Sequence, residues 1–280
     1  MIISYNIDMN IIYCGDQGIK DGLAVSILSL VKNCKSELNI YVLTINYQNS
    51  KPLSDQTIKT LDKIVKGKNT KSFVKKIDAT DVFAADPPIK NMKSYFTPSS
   101  MLRLYIDKIP EIAKLDRVLY LDYDVVCRLD PAEFYESRLD GLEAAGVLDI
   151  YGKNFYHYNF PKTDYMNSGV LLFNMEECLK SDIFPRAVAL CKKRRMMLAD
   201  QAALNKVIKK RQLMPRRFNE QADKPKKDTV FHHFSNNFKF LPVFHVQKVK
   251  PHQIDRVHGV LKITEYDDIL KQYTEIRKDL

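Results

Sequence analysis

The chain has 280 residues, of which 45% are hydrophobic and 28% charged, and its net charge is +10. This length accommodates one large domain or two small ones. No apolar run reaches the ~18–20 residues that span a bilayer, and the N-terminal stretch "MIISYNIDMN" does not resemble a secretion signal. The five cysteines form no CxxC pair, which argues against a zinc site or a disulfide framework. We therefore expect a cytoplasmic protein.

Strands and helices are predicted to alternate from the start of the chain. Strands are expected at 10–16, 39–45, 72–78, 141–149, 164–175 and 228–234, and helices at 19–33, 54–65, 96–111, 177–194 and 199–211. Ser54 is the expected N-cap of the second helix, and Ser99 or Ser100 that of the third, which Pro110 should stop. The alternation predicts an α/β fold with a parallel sheet covered by helices on both faces.

Two acidic residues are predicted to follow neighbouring strands of this sheet. Asp16 comes after the first strand and Asp122 after "RVLYL". Ligands of such sheets bind beyond the carboxyl ends of the strands, so a site is expected there.

The pair Asp122 and Asp124 predicts a cation site at this edge. In an extended segment residues i and i+2 point to the same side, so the two carboxylates would share one small volume. A divalent Mg²⁺ or Mn²⁺ ion would relieve their repulsion. A third ligand is expected from His232 or His233, which alternation sends to opposite faces, and an imidazole favours Mn²⁺. The alternatives are a turn with two aspartates and a packed histidine pair.

The basic segment 192–217 contains "KKRR", "KVIKKRQ" and "PRRF". Its simplest interpretation is a solvated helix face, and the alternatives are an anionic membrane surface or a polyanion. No RNA-binding signature accompanies it, so nucleic acid is not an expected partner. Met196 and Met197 within it are expected to pack.

Six ordered motifs resemble glycosyltransferase family 8, which contains bacterial lipopolysaccharide galactosyl- and glucosyltransferases and glycogenin. They are "NIIYCGD…LAVSILSL", "SSMLRLYI", "LDRVLYLDYDVV", "YMNSGVLLFN", "ADQAALN" and "HFSNNFK", between about residues 9 and 240. The resemblance implies a nucleotide-diphospho-sugar transferase (GT-A-like) fold with a Rossmann-type mixed sheet. It further implies a Mn²⁺-dependent enzyme that transfers a hexose from a UDP-sugar with retention of configuration. Residues 1–245 would be the catalytic domain, and 246–280 a helical C-terminal appendage.

The resemblance also assigns roles to individual residues. Asp122, Asp124 and His233 match the metal ligands, and His245 is a fallback for His233. The other matches are Asp16 for the uracil, Arg103 and Tyr123 at the donor, Lys239 or Lys250 on the diphosphate, and Asp149, Asn167, Asp200 and Gln201 around the sugar. The amide of Gln201 is a poor nucleophile. We therefore expect UDP to leave, and the acceptor to attack, on the same face of the sugar.

Two departures from the family pattern affect these assignments. The segment "DQGIK" has Gly18 and Ile19 where the family often has Asn and an aromatic residue that covers the base. The family's Lys-Pro-Trp should lie six residues after the metal histidine, where Lys239 stands without Pro or Trp, whereas Lys250-Pro251 comes later.

Several alternatives to this function stay open. A nucleotidyltransferase would need a glycine-rich, basic phosphate loop after the first strand, which "CGDQGIKDG" lacks. A catalytically degenerate partner protein of a glycosyltransferase is suggested only by the altered "DQGIK". For an enzyme, the expected acceptor is a glycan or glycolipid, with peripheral contact at an anionic inner membrane face.

Overall fold

A computed structural model describes residues 8–92, 98–150, 164–239 and 245–280, with only the backbone of Phe238, Lys239 and His245. The first residues of the helix predicted from 96 and the side chains of Lys239 and His245 lie outside this description. The strands are β1 (Asp8–Cys14), β2 (Glu37–Thr44), β3 (Phe73–Asp78), β4 (Arg117–Leu121), β5 (Val125–Cys127), β6 (Ala144–Leu148), β7 (Met166–Asn174), β8 (Arg211–Met214), β9 (Phe231–His233), β10 (Asn237–Lys239) and β11 (His245–Gln247).

The helices connect and cover these strands. They are α1 (Lys20–Asn33), α2 (Asp55–Lys68), α3 (Thr80–Ala85), α4 (Pro110–Ala113), α5 (Ala132–Tyr135), α6 (Met175–Lys180), α7 (Ile183–Lys193), α8 (Ala199–Val207), α9 (Ile254–Arg256) and α10 (Asp267–Ile276). Short 3₁₀ segments cover Gln17–Ile19, Ile89–Asn91, Pro98–Lys108, Arg216–Phe218 and Arg277–Asp279, and a π-helical turn covers Val257–Leu261.

Seven strands form one mixed sheet in the order β3-β2-β1-β4-β7-β6-β8. Strands β3, β2, β1 and β4 are parallel, β7 runs antiparallel to both β4 and β6, and β8 is parallel to β6. The carboxyl ends of β1 and β4 are therefore adjacent. This arrangement brings the segments that follow Cys14 and Leu121 to the same edge, as the sequence predicts.

Both faces of the sheet are buried. Along β1, the side chains of Met9, Ile11 and Tyr13 join one apolar core, and those of Ile12 and Cys14 join a second core on the opposite face. Helices α1, α2 and α10 cover the first core, whereas the Pro98–Lys108 segment, α7 and α8 cover the second. The predicted sheet with helices on both faces is confirmed.

Several predicted boundaries are wrong. Pro98–Lys108 is a 3₁₀-helix, and Pro110 begins α4 because its missing N–H is tolerated in the first turn. The helix predicted over 177–194 is divided at Asp182, which has a left-handed φ of 52°. The helix predicted from 199 ends at Val207, and the edge strand β8 takes up part of its predicted range.

The C-terminal segment packs against the rest of the chain. Ile269, Leu270 and Tyr273 of α10 are buried in the core that α1 also covers. The Tyr273 hydroxyl donates to Asp21 Oδ1 over 2.6 Å. The segment 246–280 thus contributes to the main core, and its predicted boundary at 245 stays a prediction. In the described part of the chain, no helix has the length and apolarity needed to cross a membrane.

Candidate functional site

A tight turn follows β4 at the carboxyl edge of the sheet. The backbone N–H of Val125 donates to the carbonyl of Asp122 over 3.1 Å, so residues 122–125 turn back and are not extended as expected. The chain then enters β5, which pairs antiparallel with β9 and sets Val125 opposite His233. The carboxylates of Asp122 and Asp124 converge, as predicted. The cause is this turn and the pairing of β5 with β9, and not an extended backbone.

Asp122, Asp124 and His233 form a group of possible metal ligands. One ligand atom from each lies within 4.8 Å of the others. Nε2 of His233 is 3.4 Å from Oδ1 of Asp124 and 3.8 Å from Oδ2 of Asp122. His232 points the other way, where its Nε2 donates to the Ala222 carbonyl over 2.9 Å. The predicted opposite orientation of the two histidines is confirmed.

The second oxygen of each carboxylate is held by protein groups. Oδ1 of Asp122 accepts from Nη2 of Arg103 over 2.8 Å and from the hydroxyl of Tyr120 over 2.7 Å. Oδ2 of Asp124 forms an ion pair with the ammonium group of Lys250. Each carboxylate therefore directs its other oxygen towards the imidazole, the arrangement that outer partners impose on metal ligands.

The imidazole of His233 is fixed by Asn219. The Nδ1–H of His233 donates to Oδ1 of Asn219 over 3.2 Å, and Nδ2 of the same amide donates to Oδ1 of Asn167 over 2.9 Å. The Asn167 oxygen also accepts from the backbone N–H of Gly169 over 3.0 Å, which sets the orientation of both amides. The lone pair of His233 Nε2 therefore faces the carboxylates.

Gly169 leaves the space that the histidine ring occupies. A Cβ atom at this position would lie 2.2 Å from Cε1 of His233, 2.7 Å from its Nδ1 and 3.0 Å from Oδ2 of Asp122. Any larger residue in this part of β7 would collide with two of the three candidate ligands. Two carboxylate oxygens, one imidazole nitrogen and this cradle fit a hard divalent cation.

The charges of the surrounding groups keep Asp124 ionised. Burial acts to raise the pKa of Asp124, but the Lys250 ammonium and His233 outweigh it, and the pKa lies well below its usual range. Burial likewise acts to lower the pKa of Arg103, and Asp122 with its neighbours raises it above its usual value. Burial raises the pKa of Asp200, which Arg103 only partly offsets.

Arg103 connects the cation group to the opposite wall of the site. Besides Asp122, its guanidinium donates from Nη1 to the carbonyl of Ser168 over 2.8 Å, and its Nε lies 3.2 Å from Oδ2 of Asp200. The guanidinium also lies over the ring of Tyr120, 4.0 Å from its centroid. A buried arginine with these contacts acts as a rigid strut between β4, β7 and α8.

The residues that the resemblance places around the sugar form one hydrogen-bonded group. Oδ2 of Asp149 accepts from Nδ2 of Asn167 over 2.9 Å and from Nε2 of Gln201 over 3.2 Å. The Gln201 oxygen accepts from the backbone N–H of Ser168 over 2.9 Å. Both ends of the Gln201 amide are thus hydrogen-bonded, and this group joins the cation group through Asn167 and Asn219.

Asp16 lies at the same edge, after β1. Its Oδ1 accepts from the backbone N–H of Gly18 over 3.0 Å and caps the 3₁₀ turn, while its Oδ2 accepts from the hydroxyl of Ser99 over 3.0 Å. Ser99 or Ser100 was expected to cap the helix that follows, but both residues lie inside the Pro98–Lys108 segment, so neither precedes its first turn. Ser99 connects Asp16 to the segment that carries Arg103.

The two lysine candidates differ in what the structure describes. Lys239 lies in β10, and its side chain is outside the description, as is that of the fallback ligand His245. Lys250 reaches Asp124 and also donates to the carbonyl of Phe234 over 3.1 Å. Tyr123 packs against α1, where a Cβ on Gly22 would come within 2.5 Å of its ring.

Four residues of this site had no assigned role in the sequence. Ser168 and Gly169 stand inside the motif "YMNSGVLLFN", so their neighbourhood to Asn167 was a usable signal. Ser99 stood out only as a helix cap. Asn219 had no signal, because its contacts to His233 and Asn167 join segments that are distant in sequence.

In open α/β sheets, ligands bind beyond the carboxyl ends of the strands, and the candidate cation site lies there. Comparison with known families is more specific. The model of glycosyl transferase family 8 matches residues 10–242. The chain belongs to this family.

Individual relatives are similar over part of their length. The chain is 26% identical over 222 residues to a putative glycosyltransferase of Haemophilus influenzae, covering 75% of this chain and 63% of that one. It is 26% identical over 220 residues to the lipopolysaccharide 1,2-glucosyltransferase of Escherichia coli K12, covering 75% and 62%. It is 28% identical over 233 residues to the lipopolysaccharide 1,3-galactosyltransferase of Salmonella typhimurium, covering 78% and 63%. The chain thus spans less than two thirds of the length of these curated relatives.

Solved structures share the fold. The galactosyltransferase LgtC, in complex with donor and acceptor sugar analogues, has a TM-score of 0.70 at 20% identity, covering 98% of this chain and all of that one. The glycosyltransferase GlyE of Streptococcus pneumoniae TIGR4 has a TM-score of 0.64 at 17% identity, covering 97% and 64%. The predicted GT-A-like fold is confirmed.

Proposed function

We propose that the chain transfers a hexose from a UDP-sugar to a glycan or glycolipid acceptor of the cell envelope, with a divalent cation and with retention of configuration. The observation that carries this proposal is the convergence of Asp122, Asp124 and His233 beside Gly169. The names of the lipopolysaccharide glucosyl- and galactosyltransferases among its relatives support the class of reaction and acceptor.

Asp122, Asp124 and His233 would hold the cation, Mn²⁺ or Mg²⁺. When bound there, the ion would supply positive charge to a diphosphate leaving group. The ammonium group of Lys250 forms an ion pair with Asp124, next to the proposed cation position. It is therefore placed to bind a phosphate oxygen as a point charge. We assign the diphosphate clamp to Lys250 in preference to Lys239.

Asp16 and Arg103 would orient the donor. Asp16 is held by Ser99 and its own turn, so its carboxylate keeps one direction for a base N–H. Arg103 is buried among Asp122, Asp200 and Ser168, so it orients these groups as well as any sugar hydroxyl they bind. Base stacking by Tyr123 is not part of this proposal, because its ring packs against Gly22.

The sugar would lie against Asp149, Asn167 and Gln201. The hydrogen bonds at both ends of the Gln201 amide fit a positioning role better than nucleophilic attack. The burial that raises the pKa of Asp200, together with its contact to Arg103, likewise fits a group that orients hydroxyls. Retention then requires departure of UDP and attack by the acceptor on the same face, with positive charge developing on the sugar.

The test is a panel of UDP-sugars screened for UDP release with Mn²⁺, with Mg²⁺ and with a chelator. We expect Mn²⁺-dependent release from at least one UDP-hexose. Asp122→Asn combined with Asp124→Asn should abolish release while the thermal melting curve keeps its cooperative shape. If that variant still stimulates a separate glycosyltransferase as well as the unmodified chain does, the chain is a catalytically degenerate partner protein. Release of pyrophosphate from a nucleoside triphosphate would favour a nucleotidyltransferase.

A further inference from the structure

The basic segment 192–217 is not one surface. Arg216 forms ion pairs with Glu220 and with Asp228, and Arg217 forms one with Glu133. Lys210 lies 3.8 Å from Glu177. These cations have acidic partners close by, which reduces their contribution to an external field. The segment's first residues behave differently.

At the end of α7 the chain exposes cations together with large apolar side chains. Met197 is 82% exposed, so its expected packing role is wrong, and Ile89 from a neighbouring 3₁₀ turn is 66% exposed. The cations around them are all exposed. We define this surface as the Met197 patch, which consists of Ile89, Lys90, Lys193, Arg194, Arg195 and Met197.

The buried side chain of Asn91 holds the two parts of the patch together. Its Nδ2 donates to the carbonyl of Arg194 over 2.7 Å and to that of Cys191, and its Oδ1 accepts from the backbone N–H of Met196 over 2.9 Å. The ammonium of Lys90 donates to the carbonyl of Lys193 over 2.9 Å. These hydrogen bonds fix the turn that carries Ile89 and Lys90 against the loop that carries Arg194, Arg195 and Met197.

The cations of the patch keep their charge available. Within the described ranges, Lys90, Lys193, Arg194 and Arg195 form no ion pair. The acidic residue beside them, Asp86, is already paired with Lys192 outside the patch. The patch thus combines four exposed cations with two exposed apolar side chains, and no carboxylate of the described residues is paired with those cations.

We infer that the Met197 patch docks the protein on a bilayer that contains anionic phospholipid. Cations alone would fit any polyanion, but exposed Met and Ile side chains beside them fit a surface with a charged headgroup layer above an apolar interior. Basic residues near such a surface each strengthen binding, and salt weakens the attraction.

Docking at this place deepens the proposed function and depends on it, because it implies a lipid-linked acceptor. The loop of the patch leads directly into α8, whose first turn contains the buried residues Asp200 and Gln201. The patch is therefore next along the chain to two residues of the proposed sugar group.

The experiment is co-sedimentation of the whole chain with vesicles of phosphatidylcholine alone or mixed with phosphatidylglycerol, at low and high salt. We expect binding only to the mixed vesicles, reversed by salt. Arg194→Gln combined with Arg195→Gln should weaken it on the order of 25-fold. Ile89→Ser combined with Met197→Ser, which keeps every charge, should weaken it roughly tenfold.

The matched control is Lys206→Gln combined with Lys209→Gln, which removes the same charge from exposed positions in the last turn of α8 and just after it, and should change binding little. An equal loss in this control, or no binding to mixed vesicles, would overturn the inference. Undiminished binding by the Ile89→Ser, Met197→Ser variant would also overturn it, because charge alone would then account for the attraction to the vesicles. UDP release measured without vesicles tests the proposed function separately.

Discussion

The substitution Gly169→Ala tests the candidate cation site without removing any of its ligands. Gly169 lies in β7, and its carbonyl accepts the backbone N–H of Asp122 over 2.8 Å. Alanine keeps this hydrogen bond and adds one methyl group. The change therefore acts on the geometry of the site and leaves its charges and its donor set intact.

The size of the effect follows from the distances around Gly169. The added Cβ would lie 2.2 Å from Cε1 of His233, whereas ordinary contact begins at 3.4 Å. The imidazole must therefore move by about 1 Å or more, since β7 is held on both sides by sheet pairing. A displacement of about 1 Å at a reacting site costs on the order of 100-fold in rate, and the overpacking itself costs about 1–3 kcal/mol of unfolding free energy.

Titration calorimetry with Mn²⁺ is the direct assay, and Mn²⁺-dependent UDP release is the second. We expect Gly169→Ala to lose roughly tenfold to a hundredfold in cation affinity, the range seen when a ligand's support is disturbed. Gly67→Ala is the matched control, because no atom lies within 4 Å of its added Cβ. It should leave cation affinity unchanged and stabilise α2 by up to about 1 kcal/mol.

The reasoning is refuted if Gly169→Ala binds Mn²⁺ as tightly as the unmodified chain and releases UDP at the same rate. That result would mean that His233 is not held against Gly169 or that it does not contact the cation. Urea melts of the same variant measure its unfolding free energy. They therefore distinguish a loss of cation affinity caused by unfolding from one caused by displacement of the His233 ring.

Three further substitutions or conditions test other parts of the site. Asn219→Ala should weaken Mn²⁺ binding by calorimetry roughly tenfold, because it frees the ring of His233 to rotate; an unchanged affinity would contradict the orienting role. Burial lowers the pKa of His232 in the folded chain to about 4. As the pH falls below the ordinary pKa of histidine, His232 is therefore protonated in the unfolded chain before it is protonated in the folded one. Urea melts should therefore lose up to about 3 kcal/mol of unfolding free energy between pH 6.5 and pH 4, a slope that His232→Phe should flatten. Lys250→Met should weaken UDP binding on the order of tenfold or more in the presence of saturating Mn²⁺, and Mn²⁺ binding itself by less, whereas Lys250→Arg should retain most of the UDP affinity; equal UDP affinity in all three proteins would remove Lys250 from the diphosphate clamp.

The first half of the fold was predictable because its signals are local. Strands β1 to β3 and helices α1 and α2 have clear apolar periodicity, and Ser54 caps α2 as expected, accepting from the backbone N–H of Thr57 over 3.0 Å. Strand β8, by contrast, is a half-exposed edge strand of four residues, so no alternation marked it. The segment Pro98–Lys108 is 3₁₀-helical although its apolar pattern suits an α-helix.

The site was predictable where its chemistry shows in residue type and not where it depends on fit. Asp122, Asp124 and His233 stand in recognisable motifs, so the cation group followed from the sequence. Gly169 and Asn219 matter because of what lies beside them, a ring that a Cβ would strike and an imidazole that needs an acceptor. This complementarity joins β7, β9 and the loop that precedes β9, which are distant in sequence. It therefore cannot be predicted from a single sequence.

The two lysine candidates show how spacing along the chain can differ from proximity in space. Counting from His233 selects Lys239, but β10 and β11 form a hairpin in the stretch between His233 and Lys250. Oδ1 of Asp223 accepts from Asn237 over 2.7 Å and from Gln247 over 3.0 Å, which fastens both ends of the hairpin to one point. Because the first and last residues of the hairpin lie side by side, the chain after it continues close to His233. Lys250 can therefore reach Asp124. A hairpin therefore lengthens the sequence interval between two site residues without separating them in space.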